Sequence, residues 1–78
     1  MVAPEDPDEV ILRVGKRIGQ IRREKGITQR QLGEDLGVAV TWISKIETKG
    51  SNLGIKTIVK IANALGVEAK ELWESPTT

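Results

Sequence analysis

Thr28 to Glu47 reads TQRQLGEDLGVAVTWISKIE, and the placement of its apolar residues decides the fold. With Thr28 as a helix cap, Leu32 and Leu36 fall one turn apart on the same side of a short helix. Gly37 can adopt the positive φ that stops such a helix. Val38 is an apolar hinge, and another helix follows with Ile43 and Ile46 facing inward, Ala39 behind them.

Outward from this stretch the chain continues as helices. Asp6-Pro7 reads as a helix start, with Asp6 capping and Pro7 at the first helical position. Asp8 and Glu9 suit the positive end of the helix dipole. Ile11, Val14, Ile18 and Ile21 recur at helical period, and Lys25-Gly26 should end the segment. Beyond Glu47, Thr48 to Asn52 has turn chemistry. Ile55, Ile58, Ile61, Ala62 and Leu65 mark a fourth helix closed by Gly66, and Glu68 to Glu74 a short fifth that buries Leu72. No strand alternation, repeat or low-complexity segment interrupts this order. The expected organisation is all-α with five helices: a disordered arm over 1–6, one domain over 7–74 and a tail over 75–78.

Composition narrows the function. The 78 residues contain no cysteine and no histidine, which removes disulfides, thiol nucleophiles and the usual transition-metal ligands. No cofactor is expected. No apolar run approaches the roughly 20 residues of a membrane span, and the acidic N-terminus is unlike a secretory signal. A cytoplasmic protein is expected. The net charge of +1 hides an uneven distribution: −4 over residues 1–12, +7 over 13–60 and −2 over 61–78. A basic middle suits a surface that faces phosphates.

The pair of helices over 28–47 therefore reads as a helix-turn-helix, which makes double-stranded DNA the leading partner. In this motif the later helix lies in the major groove with its early residues at base edges. On a helical wheel Thr41, Ser44, Lys45 and Thr48 share the face opposite Ile43 and Ile46, with Val40 at its border. Val40, Thr41 and Lys45 are the base-contacting candidates. Lys45 can donate to guanine O6 and N7, Thr41 can bond either way, and Val40 suits a thymine methyl. No arginine, asparagine or glutamine stands on this face, so DNA shape should carry part of the specificity.

The chain resembles the Xre or Cro-repressor-like (lambda-repressor-like) family of helix-turn-helix DNA-binding domains over about Val14 to Leu72. The likeness rests on IGQIRREKG (Ile18 to Gly26), TQRQLGEDLGV, ISKIE and IVKIANALGV, in that order and spacing. KGSNLGIKTI also matches a stretch of restriction-modification controller proteins. The resemblance implies a five-helix domain and a phosphate clamp at Gln29; Arg30, Ser44, Lys49, Ser51 and Asn52 are further phosphate candidates. It implies that Arg22 and Glu47 form a structural ion pair between the first and third helices. Ala39 stands where many relatives have a capping Ser or Thr, and Gly33 where alanine is usual. Relatives commonly dimerise through their final helices. A homodimer through Trp73 and Leu72 with Val59, Asn63 or Val67 is therefore expected, reading half-sites about 34 Å apart. Trp73 could instead cap its own core. Trp42 could pack on the core rim or point its indole N–H at a phosphate.

The reading is a dimeric, sequence-specific transcriptional regulator that competes with or recruits RNA polymerase. Catalysis finds no support: Glu34 and Asp35 diverge on a helix surface, and Ser44 and Lys45 point about 100° apart. Gly50 and Gly54 lack the lysine-hydroxyl pair of a phosphate loop. The alternative is an antitoxin-like module whose main partner is another protein, against which the short tail counts.

Overall fold

Asp6 opens the first helix as its sequence predicts: the carboxylate accepts the Asp8 N–H at 2.9 Å, and Pro7 follows. This helix, α1, spans Pro7–Glu24. The computed structural model describes residues 3–74; Met1, Val2 and the expected tail over 75–78 lie outside the described residues. Ahead of α1, Glu5 accepts from Arg13 at 2.9 Å, so that part of the expected arm is tied to the helix. Next come α2 (Gln29–Leu36), α3 (Val40–Lys49) and α4 (Ile55–Leu65).

Thr28 caps α2 reciprocally with Gln31: its hydroxyl accepts the Gln31 N–H at 3.0 Å, and Gln31 Oε1 accepts the Thr28 N–H at 2.8 Å. The Thr-x-x-Gln spacing permits this. Gly37 ends α2 at φ 70°, and the Val38 N–H bonds back to the Gly33 carbonyl at 2.9 Å. That bond aims the chain into α3.

The fifth helix is the main departure. Glu68 to Glu74 holds only one 3₁₀ turn, Ala69–Leu72, so the described residues contain four α-helices and no strand. Glu71 Oε2 does accept the Glu68 N–H at 3.0 Å, the start of a helix. Extending it is unfavourable, because so few residues barely repay nucleation and Pro76 disfavours helical geometry just before it. Arg17 holds the turn from outside, its Nε donating to the Glu71 carbonyl at 3.1 Å.

Across this frame α1 crosses α3, α2 packs on α3 and α4, and the final turn lies against α4 and α1. Ile18, Leu32, Ile43, Ile46, Ile61 and Leu72 are each no more than 1% exposed. Each contributes about 1.5–3 kcal/mol of burial. Ile55 departs from the expected stripe: at the first position of α4 it points away from Ile58, Ile61 and Leu65 and is 70% exposed. The α1 and α3 backbones approach so closely that a Cβ on Gly15 would collide with the Ile46 carbonyl oxygen. No helix of the described residues is long and apolar enough to cross a membrane.

Candidate nucleic-acid interface

Helix α3 is oriented by its inner face. Ile43 and Ile46, both 1% exposed, lock it into the core, and Trp42 is half-buried against the same cluster. Trp42 thus takes the core-rim position. The opposite face is left to solvent: Thr41, Lys45, Thr48 and Lys49 are exposed, Ser44 is half-buried, and the five line one shallow depression. Val40 borders it, exposed. Helix α3 also takes in two residues of the loop expected over Thr48 to Asn52, Thr48 and Lys49, and the Thr48 hydroxyl donates to the Ser44 carbonyl at 2.8 Å. Lys49 then stands at the negative end of the helix dipole.

Electrostatics on this face follow from one internal pairing. Glu47 is the only carboxylate of α3, and it is turned inward. Arg22 donates to it twice, Nε to Oε2 at 2.7 Å and Nη2 to Oε1 at 3.1 Å. The Arg22 and Glu47 side chains are 10% and 6% exposed, so the expected ion pair is a buried one. Arg22 Nη1 also donates to the Ile27 carbonyl at 2.8 Å, which fixes the turn into α2. With Glu47 neutralised below, the outer face of α3 presents only the cations Lys45 and Lys49.

Gln29 joins the same cluster, which sequence reading missed: its Nε2 donates to Glu47 Oε1 at 3.0 Å. The side chain is thereby held at the first position of α2, where backbone N–H groups have no acceptor within the helix. Arg30 follows, exposed. Ser51 and Asn52 do not join the α3 depression; they line a separate groove with Leu53, Val10, Ile58 and Trp73. Ala39 precedes α3 without a side-chain cap, at a cost of about 1 kcal/mol relative to a capping residue. Gly33 keeps its place for a steric reason: a Cβ there would stand 2.9 Å from the Val38 carbonyl oxygen, inside the turn.

The expected interface residues separate into two groups. Val59 and Trp73 are 40% and 39% exposed, Asn63 is exposed and Val67 half-buried. Leu72 is 0% exposed, inserted into the core by the 3₁₀ turn, and has no side-chain surface to offer a partner. Ile55, one turn before Val59, supplies the apolar surface that Leu72 does not.

A sequence model described as helix-turn-helix matches residues 18–72. The control protein C.BamHI of Bacillus amyloliquefaciens is 34% identical over 71 residues, covering 90% of this chain and 88% of that protein. The immunity repressor of Bacillus phage phi105 is 34% identical over 59 residues, 76% of this chain; the chain spans 41% of that repressor's length. SinR, a transcriptional regulator of Bacillus subtilis, has been crystallised in complex with DNA. That structure matches with a TM-score of 0.70 and 35% identity, over 78% of this chain and 98% of that one. The chain belongs to the helix-turn-helix family, in its Xre-like group of transcriptional regulators.

Proposed function

We propose that this protein is a sequence-specific, double-stranded DNA-binding transcriptional regulator that works in the cytoplasm as a homodimer on a palindromic operator. One observation carries the reading: Ile43 and Ile46 grip the core so that Thr41 and Lys45 stand exposed on a carboxylate-free face. A helix so presented enters a major groove with its early residues against the bases. Val40, Thr41 and Lys45 are the base-reading residues. Gln29, Arg30, Ser44 and Lys49 contact phosphates around them, with Ser51 and Asn52 at the edge. The DNA-bound SinR structure supports the same use of the fold.

Selection of bound oligonucleotides from a random pool tests the reading and returns both the preferred sequence and the half-site spacing. Lys45→Ala is expected to weaken the selected duplex by about 1–3 kcal/mol per half-site and to relax the preference at one position. An equal loss on every sequence would assign Lys45 to the backbone instead.

Dimerisation is proposed through the outer face of α4, where Ile55, Val59 and Asn63 succeed one another every fourth residue, together with Trp73. Ile55 and Val59, exposed apolar residues one turn apart, are of the kind typical of a contact surface. Val59→Lys adds a charge there without touching the core and is expected to shift sedimentation at micromolar concentration from dimer to monomer. From the dimer, contact with RNA polymerase would depend on where the operator lies.

A further inference from the structure

Arg22 and Arg23 leave the end of α1 differently. Arg22 is buried, and each of its three guanidinium nitrogens donates one bond, two to Glu47 and one to the Ile27 carbonyl. Arg23 is exposed and folds back over Gly19, one turn earlier on its own helix. Arg23 Nη1 and Glu47 Oε1 each lie 3.1 Å from the point a Gly19 Cβ would occupy. The missing side chain of Gly19 is what lets this guanidinium lean toward α3.

Among the described residues Arg23 has no ion-pair or hydrogen-bond partner. Glu47 makes no bond to it; Oε1 accepts from Arg22 and Gln29 and Oε2 from Arg22. One carboxylate thus stands between two guanidinium groups, which leaves an excess positive charge at the seam of α1, α2 and α3. Gln29, the first residue of α2, closes that seam, and the positive end of the α2 dipole adds to the charge. A free guanidinium fork leaning over this seam matches the oxygens of a phosphate.

We propose that Arg23 is a phosphate-contacting residue that grips the DNA backbone at the start of α2 and so fixes the register with which α3 enters the groove. The proposal rests on the DNA-binding reading above. It gives the seam glycine a role in function as well as in packing.

The test is the salt dependence of binding to the selected duplex and to a scrambled one, read by fluorescence anisotropy. Arg23→Gln is expected to lower the log–log slope by about one unit per bound copy, equally on both duplexes. Its melting temperature should stay within about 4 °C of the parent. Arg23→Lys, which keeps the charge, should keep the slope, as should Lys70→Gln on the final turn. An unchanged slope in Arg23→Gln overturns the proposal and leaves the DNA-binding reading intact. Loss of slope in both Arg23 variants assigns the residue to the fold and also overturns it. A parent protein that binds neither duplex removes both readings.

Discussion

Gly15→Ala is expected to destabilise the protein by about 3 kcal/mol or more, the upper range for overpacking a tight interior. In an ordinary helix interior the same change gains about 1 kcal/mol from propensity. Here the sign reverses, because the added Cβ meets the Ile46 carbonyl oxygen and lies 3.1 Å from its carbonyl carbon and 3.4 Å from the Gly50 Cα. All three are backbone atoms, so none can swing aside as a side chain would. Helices α1 and α3 must separate, and the packing of Ile18 against Ile43 and Ile46 loosens with them. A domain of this size has a total stability of about 4–12 kcal/mol, so the variant should melt at least 12 °C lower at about 4–8 °C per kcal/mol. Calorimetry decides the matter, and a melting temperature at or above that of the parent would show that the α1–α3 crossing has room for a Cβ.

Arg22→Ala is the second large effect, about 3–5 kcal/mol by the usual cost of breaking a buried pair. The loss comes mostly from what stays behind. Glu47, only 6% exposed in the parent, would keep the Gln29 amide as its one hydrogen-bond donor, and the Ile27 carbonyl would lose its guanidinium donor. Replacing both partners with apolar residues of similar volume, Arg22→Met with Glu47→Leu, should restore much of the stability, since no charge is then stranded. Urea denaturation of the two singles and the double forms the cycle. If each single variant costs no more than about 1 kcal/mol, the pair behaves as a solvated surface bridge and not as a buried one. DNA binding by the folded double variant would report separately on how far Gln29 depends on Glu47 for its position.

Both effects arise where α1 meets α3, and the two were unequally visible in the chain. The Arg22 and Glu47 pair was expected only because the sequence resembles a family. Nothing in the spacing of residues 25 apart requires that they meet. Gly15 and Gly19 carried no signal at all beyond lowering helix propensity, because a glycine in a helix marks a close approach only once the partner helix is placed. Arg17 likewise read as one more surface cation, yet it donates to the Glu71 carbonyl across 54 positions of sequence.

The apolar rhythm and the caps needed no tertiary information. Asp6-Pro7, Thr28, Gly37 and Gly66 act within one turn of their own helix, so the bounds of α1, α2 and α4 follow from local chemistry. The same holds for the outward face of α3, since Ile43 and Ile46 define its opposite side by helical geometry alone. Three other outcomes belong to the assembled fold. Leu72 reads in the sequence both as buried by the last helix and as part of the dimer contact, and the single 3₁₀ turn puts it wholly in the core. Ile55 reads as core in the sequence and is exposed, because no neighbouring element covers its side of the first turn of α4 while Ile58 of the same turn is buried. Gln29 braces Glu47 because α2 and α3 bring them together. Local hydrogen bonding and periodicity are properties of neighbouring residues, and so they can be read along the chain. Burial and pairing at long range depend on which helices face one another, and only the folded molecule decides that.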